Sequence, residues 1–424
     1  MSGDGGDGPV LAPPPPSDLG DRDVPRDGDH LAGRRVALMV TGGIAAFKAP
    51  MIARALRRQG AEVVAFASSE GLRYVTREVL EWSTVHPAIT ALTAEAEHLS
   101  DAAPFDAYLI APATYNTINK LAAGVADGAV TAAAASALGR MTRGETRVLV
   151  APTMHGTLHN PILTASLERL AGLGVRVIPP REDYGKHNLP DEAALVAEVS
   201  RAVSRSPLKG VRVLVTGGPT PVPVDAVRRL TNKFSGELGG RIAEELHLRG
   251  AEALLVHGAG RFQPPAHLPV RRVKTYDEYL EAVLDELEGG YAAGVFTASV
   301  ADYRPREVLP GKTPSGGSMR LDLVPTEKVI RRVRARFGGL HMTVFKYEEG
   351  VDHERLIAVG RERLGQGYQA VVANRGEERG ADGAQVAWLL AEGREPRRAE
   401  GKPAIARAVA DHLEAALPAP AARA

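Results

Sequence analysis

Two segments of the chain combine a short apolar run, a pair of glycines and a following helix pattern, an arrangement suited to binding phosphate groups. The first covers residues 36–48 (VALMVTGGIAAFK), and the second covers residues 211–220 (VRVLVTGGPT), with a helix pattern that begins near Gly236. Each apolar run predicts a buried strand, and each glycine pair lets a ligand approach the backbone closely. Because free N–H groups at a helix N-terminus attract anions, each segment predicts a site for a phosphorylated ligand.

Small and polar residues also follow three other predicted strands in the first half of the chain. Ser68 and Ser69 follow the second strand, residues 111–120 (APATYNTINK) follow the third, and residues 151–156 (APTMHG) follow the fourth. Taken singly, each segment has an ordinary explanation as a turn or a helix cap. Ligands of open parallel sheets lie outside the carboxyl ends of the strands, so these segments together indicate one binding site.

Short strand patterns alternate with helix patterns along the chain, and this alternation predicts the fold class. The predicted strands are 36–40, 62–67, 106–110, 147–150 and 175–178 in the first half, and 211–216, 253–256, 294–297, 342–345 and 369–373 in the second. Helices are predicted at 46–58, 162–171, 192–203 and 403–417. Repeated βα units favour an α/β fold of two doubly wound domains, Rossmann-like or flavodoxin-like, with mostly parallel sheets.

Local composition predicts where the domains begin and end. Residues 1–33 are rich in glycine, proline and aspartate, and such a segment buries too little apolar surface to fold, so a disordered tail is expected. The first domain is expected over residues 34–186, a linker over 187–209, the second domain over 210–418 and a short tail over 419–424.

The charge balance and the missing residue types limit the classes of partner and site. Lysine plus arginine (52) nearly equal aspartate plus glutamate (51), so no overall charge favours nucleic acid or a membrane surface. The absence of cysteine excludes disulfides, thiolate metal sites and a cysteine nucleophile, and it fits a reducing compartment. No apolar stretch approaches the roughly 20 residues of a spanning helix, and the N-terminus lacks the pattern of a signal peptide. We therefore expect a cytoplasmic protein.

The motifs resemble those of two linked enzyme families. Residues 41–46 (TGGIAA), residues 111–117 (APATYNT) and the pair Met154-His155 look like the flavin-binding cysteine decarboxylase family. In the second half, residues 225–236 (DAVRRLTNKFSG) and 297–305 (TASVADYRP) look like phosphopantothenate–cysteine ligase. From about residue 34 to 418 the chain is thus similar to the bifunctional phosphopantothenoylcysteine decarboxylase/phosphopantothenate–cysteine ligase family of coenzyme A synthesis.

For the first domain this resemblance implies FMN binding and decarboxylation. The substrate's cysteinyl thiol is oxidised to a thioaldehyde, carbon dioxide leaves, and the electrons return to the product. By resemblance His98 is the essential histidine, and His155, with Met154, contacts the substrate, its ring meeting the substrate carboxylate. The expected FMN contacts are Gly42, Gly43, Ile44, Ser68, Ala113, Thr114 and Asn116.

For the second domain the resemblance implies that CTP, with Mg²⁺, activates 4′-phosphopantothenate as an acyl-cytidylate that cysteine then attacks. Asn232 and Lys312 are the expected catalytic residues. Substrate and nucleotide contacts are expected from Gly218, Thr220, Arg228, Ala301, Asp302, Phe345 and Asn374. Asp302 is favoured further because a lone acid at a buried strand end is costly unless it is paired or functional. Metal ligands stay unassigned.

The resemblance also implies a homo-oligomer, since the family's flavin domain forms trimers and its ligase domain forms dimers. A dodecamer would contain both kinds of contact. Nucleotide preference between CTP and ATP stays open, because base-edge contacts decide it.

Two departures from the family keep alternatives open. Many members carry a cysteine in a substrate-clamping segment. In this chain the corresponding segment, residues 181–190, reads REDYGKHNLP and has no cysteine. Tyr184, Lys186 or His187 would then have to supply a proton. Pro314 stands where many members have a second lysine after Lys312. The alternatives are a ligase with a degenerate FMN-binding domain and a non-catalytic flavin- or nucleotide-binding assembly protein. A dinucleotide reductase is disfavoured, since neither glycine turn reads Gly-x-Gly-x-x-Gly.

Overall fold

The computed structural model describes residues 16–418, and the chain divides into two compact units, Met1–Val196 and Ala197–Ala424. The first 15 residues of the predicted N-terminal tail and all of the predicted C-terminal tail lie outside the described range. The division falls inside a helix, within the predicted linker over 187–209. Among the described residues, we find no helix long and apolar enough to cross a membrane.

The first unit is built on a five-stranded parallel sheet with the strand order β2-β1-β3-β4-β6, and a small three-stranded antiparallel sheet has the order β5-β8-β7. The strands are β1 (Arg35–Val40), β2 (Glu62–Ala67), β3 (Ala107–Ala113), β4 (Arg147–Pro152), β5 (Met154–His155), β6 (Arg176–Val177), β7 (Arg181–Asp183) and β8 (Lys186–Asn188). This is the flavodoxin-like order, in which ligands bind at the switch point between β1 and β3.

Six helices belong to this part of the chain. They are α1 (Ala49–Arg58), α2 (Arg77–Thr84), α3 (Tyr115–Ala123), α4 (Ala129–Met141), α5 (Pro161–Gly172) and α6 (Glu192–Val203), which crosses the division; short 3₁₀ turns cover Ile44–Lys48, Gly71–Arg73 and Gly156–Leu158. A buried apolar cluster joins the sheet to α3, α4 and α5 and includes Phe66, Ile110, Ile118 and Leu163. The helix predicted from residue 46 starts within the 3₁₀ turn Ile44–Lys48 and continues as α1. Pro50 lies in the first turn of α1, where its missing N–H costs no hydrogen bond.

The segment before β1 differs from the predicted disordered tail in the part that the structure describes. The side chain of Leu31 is fully buried, and its N–H donates to the carbonyl of Gln59 at 2.9 Å. The Arg22 guanidinium donates to the carbonyl of Glu81 at 2.7 Å. The composition is that of a tail, but one leucine and these backbone contacts are enough to hold the segment against α1 and α2.

The second unit contains an eight-stranded sheet with the order β14-β13-β9-β15-β19-β20-β21-β22. The sheet strands are β9 (Arg212–Gly217), β13 (Glu252–His257), β14 (Val270–Arg272), β15 (Ala293–Phe296), β19 (His341–Glu348), β20 (Ala370–Arg375), β21 (Val386–Ala391) and β22 (Arg397–Glu400). The first six strands are parallel and follow the Rossmann order, with the switch point between β9 and β15. The last two strands add on antiparallel.

Short strand pairs and five helices surround this sheet. The pairs are β10 (Pro219–Thr220) with β16 (Ser299–Val300), β11 (Val222–Pro223) with β12 (Arg229–Leu230), and β17 (Tyr303–Pro305) with β18 (Leu323–Pro325). The helices are α7 (Glu237–Leu248), α8 (Tyr276–Glu288), α9 (Val329–Arg336), α10 (His353–Leu364) and α11 (Lys402–Ala416). Two large buried apolar clusters form the core of the unit.

The predicted fold class is confirmed, and each predicted strand of the two large sheets is present within three residues of its predicted ends. The antiparallel strands β21 and β22 were not predicted. Their sequences alternate only weakly, and nothing local indicates that they pair with each other and with β20.

A buried histidine, His412, and a half-buried one, His341, predict that acid destabilises the second unit. His341 Nε2 and His412 Nε2 lie 3.1 Å apart, and burial, with the neighbouring His412, lowers the pKa of His341 to about 4. Burial also lowers the pKa of His412. Because the unfolded chain binds protons near pH 6.5 and the folded unit does not, the stabilisation present above that pH is lost as the pH falls toward 4.

We expect a Tm about 5 °C lower at pH 5 than at pH 7, since one kcal/mol shifts the Tm of a domain this size by roughly 2–4 °C. Thermal unfolding followed by circular dichroism measures this shift. Replacing His412 by glutamine should reduce the pH dependence; an unchanged dependence would assign it to other groups.

Candidate functional site

In the first unit a cavity of about 970 Å³ lies at the carboxyl ends of the parallel strands, at the switch point between β1 and β3. Eight of the residues predicted from the sequence line it, namely Gly42, Gly43, Ile44, Ser68, Thr114, Asn116, Met154 and His155. The four strand-end segments that the sequence singled out therefore meet at one place, as the topology of an open parallel sheet requires.

Thr41 and Thr114 join the two sides of the switch point. The Thr41 hydroxyl donates to the carbonyl of Pro112 at 2.6 Å and accepts the N–H of Thr114 at 3.3 Å. The Thr114 hydroxyl in turn accepts the N–H of Thr117 and so caps α3. These bonds fix the ends of β1 and β3 next to each other, and they leave the start of α3 facing the cavity.

Close packing requires glycine at position 42 in the pair that follows β1. A Cβ atom on Gly42 would lie 2.3 Å from the Cβ of Glu70, and one on Gly43 would lie 3.2 Å from a methyl of Thr114. A contact of 2.3 Å is far below van der Waals distance, so Gly42 cannot carry a side chain without a shift of the loop at residues 68–71. The backbone of the pair therefore forms part of the cavity wall.

Ser68 is held with its proton free. Its hydroxyl oxygen accepts the N–H of Gly71 at 3.0 Å, and its own N–H donates to the carbonyl of Val40. The hydroxyl hydrogen has no acceptor among the described residues, so it can donate to a ligand in the cavity. This arrangement suits a phosphate or ribityl oxygen.

His155 presents one defined nitrogen to the cavity. Its Nδ1 accepts the N–H of Thr157 at 3.2 Å and lies 2.9 Å from the Thr157 hydroxyl. An Nδ1 that accepts a backbone N–H leaves the proton of the neutral ring on Nε2. His155 lies exposed on the cavity wall, so its Nε2–H is available to a carboxylate.

Part of the wall was not assigned from the sequence. Strands β7 and β8 bring Arg181, Lys186, His187 and Asn188 to the cavity, and Lys48 and Lys120 also line it. Lys120 is paired with Asp127 at 2.6 Å. Arg181, Lys186, His187 and Asn188 all lie in the segment 181–190, and membership of that segment was the only indication of them in the sequence. The pairing of its strand β8 with β5 depends on the tertiary fold.

Two residues predicted for this site are not on the cavity wall. Ala113 is fully buried at the end of β3, where its carbonyl accepts the N–H of Thr153. His98 lies half-buried in a turn-rich segment, eight residues after the wall residue Thr90. The Nδ1 atom of His98 is buried and has no hydrogen-bond partner among the described residues.

Replacing Gly42 by alanine should weaken flavin binding about tenfold, because the new methyl group displaces the Glu70 loop and about 1.4 kcal/mol corresponds to tenfold in affinity. Titration of flavin-free protein with FMN, followed by flavin fluorescence, measures the change. The matched control is Gly139→Ala in α4, where an added Cβ meets nothing within 4 Å and the helix gains about 0.5–1 kcal/mol. Equal affinities for the two variants would place flavin elsewhere.

In the second unit two glycines pack closely at the switch point. Gly218 has φ +81° and Gly236 has φ +89°, both in the left-handed region. A Cβ on Gly236 would lie 2.8 Å from the Cα of Gly218. The glycine turn after β9 thus touches Gly236, the residue that precedes α7 and that has no side chain to cap the helix.

Asn232, Thr220 and Ala301 belong to one hydrogen-bonded group at this switch point. The Asn232 amide donates to the Ser299 hydroxyl at 2.8 Å and approaches the carbonyls of Ser299 and Val300 at 3.3 Å. The Ala301 N–H donates to the Thr220 hydroxyl at 3.2 Å. Asn232 therefore fastens the loop before α7 to β16.

Asp225 is a buried anchor whose importance the sequence did not reveal. Its carboxylate accepts the N–H groups of Arg228 (2.7 Å), Val227 (2.8 Å) and Thr313 (3.2 Å), and these bonds hold the pKa of Asp225 well below its usual range. Arg228 also donates to the carbonyl of Thr313 at 3.1 Å. Both residues thus fix the loop that carries Lys312.

Lys312 itself makes no hydrogen bond or ion pair in the part of the chain that the structure describes. Its loop is held on both sides, since Gly311 accepts the N–H of Ala226 and Thr313 contacts Asp225 and Arg228. Its ammonium group is therefore free to meet a phosphate. Arg228, in contrast, is engaged with Asp225 and Thr313 and is less available to a substrate than the sequence suggested.

The prediction that Asp302 is an acid at a buried strand end is wrong. Its side chain is 62% exposed and forms an ion pair with Lys328, so no burial cost demands a function for it. Lys328, which the sequence did not single out, adds a cation beside the Asp302 position.

Phe345 and Asn374 lie on adjacent parallel strands, β19 and β20. The Phe345 ring is half-buried against the core, and Asn374 pairs in register with Tyr347. The Phe234 ring meets the Tyr347 ring edge-on at 5.6 Å, which joins β19 to the Asn232 loop.

Comparison with known proteins relates both units to described families. The family model described as "Flavoprotein" matches residues 26–204, and the model described as "DNA/pantothenate metabolism flavoprotein C-terminal domain" matches residues 208–417. A crystal structure titled as the DNA/pantothenate metabolism flavoprotein from Streptococcus pneumoniae covers 49% of this chain and 100% of its own, with 22% identity and a TM-score of 0.44.

Curated relatives extend over both units. The coenzyme A biosynthesis bifunctional protein CoaBC of Thermococcus kodakarensis is 36% identical over 351 residues, which are 81% of this chain and 86% of the relative. The protein of the same name from Mycolicibacterium smegmatis is 31% identical over 328 residues, 73% of this chain and 77% of the relative. The chain therefore belongs to the family of bifunctional enzymes of coenzyme A biosynthesis.

Proposed function

We propose that the first unit is an FMN-dependent decarboxylase of phosphopantothenoylcysteine and that the second is a CTP-dependent phosphopantothenate–cysteine ligase. The product of the second unit is then the substrate of the first. The observation that carries the proposal is the cavity at the β1/β3 switch point, in whose wall Gly42 leaves no room for a side chain, in a unit that the flavoprotein family model matches.

The cavity fits a flavin nucleotide together with a substrate. Its volume of about 970 Å³ lies at the upper end of the roughly 300–1,000 Å³ of small-molecule sites. Gly42, Gly43, Ser68, Thr114 and Asn116 would hold FMN. When bound, FMN supplies a two-electron oxidant for the substrate thiol and returns the electrons after carbon dioxide leaves.

The residues of the chain bind and orient the substrate in this reaction. The Nε2–H of His155 would donate to the substrate carboxylate and fix it above the cavity floor. The cations Arg181 and Lys186 on β7 and β8 would meet the substrate phosphate, since phosphate recognition favours charge-assisted hydrogen bonds.

In the second unit the substrate carboxylate would attack the α-phosphate of CTP, and pyrophosphate would leave. The amino group of cysteine would then attack the acyl carbon, lose a proton and release CMP. The backbone of Gly218 and the start of α7 would face the phosphates, Lys312 would stabilise the charge of the transferring group, and Asn232 would bind the carboxylate.

Mg²⁺ would enter with the nucleotide. No group of three or more histidine, aspartate or glutamate side chains suited to a metal is found among the described residues. Mg²⁺ is usually held by one or two carboxylates and the substrate phosphates, so the phosphates of CTP would supply most of its ligands.

A homo-oligomer is part of the proposal. Ile44, Phe47 and Met51 follow one another along the 3₁₀ turn and α1 beside the cavity, and they are 71%, 52% and 44% exposed. Clustered exposed apolar side chains favour contact with another chain.

A ligase with an inactive flavin unit is the second candidate, favoured by the absence of cysteine from the chain. The test is to record the visible spectrum of the purified protein, supply 4′-phosphopantothenate, cysteine, CTP and Mg²⁺, and identify the products by mass. A yellow protein that forms 4′-phosphopantetheine supports both activities. Accumulation of phosphopantothenoylcysteine supports the second candidate, and no product at all supports an assembly protein. ATP in place of CTP tests the nucleotide.

A further inference from the structure

The buried residue His257 packs against the glycine turn of the second unit. It is the last residue of β13, it pairs in register with Gly217 of β9, and none of its surface is exposed. A Cβ atom on Gly236 would lie 2.5 Å from the Cε1 of His257, and a Cβ on Gly217 would lie 3.6 Å from its Nδ1. The imidazole ring therefore fills the space between the end of β9 and the residue that precedes α7.

The same ring holds the loop that follows β13. His257 Nε2 lies 3.2 Å from the carbonyl oxygen of Phe262, which can only accept a hydrogen bond, so Nε2 carries the proton. The N–H of Phe262 donates to the carbonyl of Ser235 at 3.2 Å. A Cβ on Gly240 in α7 would lie 2.2 Å from the Phe262 ring, so that ring packs directly on the helix. His257 thus joins the loop at 258–262 to the segment that leads into α7.

The protonation state of His257 leaves one nitrogen without a partner. Burial lowers the pKa of His257 more than the hydrogen bond to Phe262 raises it, and Arg272, its register partner on β14, lowers it further. The ring is therefore neutral at pH 7, and because Nε2 carries its proton, Nδ1 is an acceptor. Nδ1 is buried and has no hydrogen-bond partner among the described residues, an arrangement that costs stability. An apolar side chain would avoid this cost, so the ring is better explained by what it holds in place than by the stability of the core.

The backbone next to the ring carries the donors expected to meet the nucleotide phosphates. The N–H of Gly218 makes no hydrogen bond within the part of the chain that the structure describes, and Gly236 has no side chain to cap the first N–H groups of α7. Both glycines have positive φ, and a Cβ on Gly236 would also lie 2.9 Å from the Gly218 nitrogen. Glycine permits this conformation but does not enforce it, so the neighbouring side chains must hold the donors in place.

We propose that His257 is a positioning residue of the ligase site: it sets the separation between the turn at 217–218 and the start of α7 so that both donate to the nucleotide phosphates. The inference rests on the proposed ligation. The ring does not touch the nucleotide; it acts through its bond to Phe262 and its contacts with Gly217 and Gly236. Without the ring the two donor segments can separate, and donors that must reorganise around a charged group stabilise it less than donors already in place.

The test measures equilibrium binding of CTP and of inorganic tripolyphosphate, each with Mg²⁺, to the full-length protein by calorimetry. Tripolyphosphate has no base or ribose, so it reports on the phosphate contacts alone. We expect His257→Leu, which keeps the bulk and removes the N–H donor, to weaken the binding of both ligands about tenfold and to raise the KM for CTP by the same factor. The KM for cysteine should stay within about twofold, a split that a general loss of structure would not produce.

Two further variants separate the hydrogen bond from the bulk of the ring. His257→Gln retains a side-chain N–H that can reach the carbonyl of Phe262, and it should keep the affinity for CTP within about threefold of the wild type. His257→Asn, whose shorter side chain leaves that carbonyl unpaired, should weaken binding as His257→Leu does, and it replaces His257→Leu in the test if the leucine variant does not fold.

His412→Leu is the matched control. His412 is also buried in the second unit, and its Nδ1 has no partner among the described residues, but it contacts His341, the first residue of β19, at the amino ends of the parallel strands. Its replacement should leave the affinities for CTP and tripolyphosphate unchanged, whatever it does to the Tm.

The outcomes separate this inference from the proposed function. Wild-type protein that forms no phosphopantothenoylcysteine overturns both. Wild-type protein that ligates, with His257→Leu and His257→Asn variants that bind both ligands within about twofold of it, overturns the positioning role alone. Equal weakening by His412→Leu also overturns that role, because the effect would then follow stability rather than position.

Discussion

Replacing Asn232 by alanine should lower the rate of amide formation by about 10²–10³-fold and leave the flavin spectrum unchanged. Removal of one donor that stabilises developing charge costs about this factor in acyl-transfer enzymes. The structure adds a second reason, because the Asn232 amide joins the loop before α7 to Ser299 and Val300. Loss of the amide would therefore remove the proposed substrate contact, and it loosens the loop that should hold the phosphates.

The measurement is pyrophosphate release with saturating 4′-phosphopantothenate, cysteine and CTP. Thr231→Ala is the matched control, since Thr231 is the exposed neighbour in the same loop and its hydroxyl makes only a 3.5 Å contact. The control should keep nearly full activity. An Asn232→Ala protein that ligates at the wild-type rate would remove Asn232 from the catalytic residues.

Replacing His98 by alanine should reduce carbon dioxide release by about 10²–10⁴-fold if the catalytic role implied by the family resemblance holds, since this is the usual contribution of a group that transfers a proton in the transition state. The role rests on the resemblance alone, because His98 does not line the cavity. FMN should stay bound, because His98 is not on the cavity wall, and ligation should continue. The structure explains why the variant should fold: His98 Nδ1 has no partner within the described residues, so the substitution breaks no hydrogen bond at that atom.

The readout is labelled carbon dioxide from carboxyl-labelled substrate, with flavin absorbance measured on the same sample. His86→Ala serves as control, because His86 is also half-buried in the first unit and lies 3.8 Å from Glu62. Decarboxylation at the wild-type rate by His98→Ala would show that the resemblance misassigned this residue. Because His98 is distant in sequence from the other site residues, this variant tests the role implied by the family resemblance more sharply than the Asn232 variant does.

The fold could be predicted well because its signals are local. Apolar runs such as residues 36–40 and 211–216 end in glycine pairs, and parallel βα units leave few topologies to choose from. The same rules place the segments after β1, β2, β3 and β4 at one edge, where the structure has them. Antiparallel β21 and β22 escaped prediction, since strand pairing between distant segments has no local signal.

The site could be predicted in part. Residues that act through their own backbone or type, such as Gly42, Ser68 and Thr114, were found from the motifs. Asp225 was seen as part of a motif, but its burial and its bond to the Thr313 backbone depend on a loop 88 residues away. Asp302 was predicted for a physical reason that its 62% exposure removes.

The sequence by itself determined the alternation of strands and helices, the two glycine turns and the family, because these depend on residue type and short-range order. Only the tertiary structure decided that β8 lies against β5 and brings His187 to the cavity, and that Asp225 holds the Lys312 loop. Such contacts join segments far apart in the chain, and their energies come from burial and hydrogen bonds that exist only after the chain has folded.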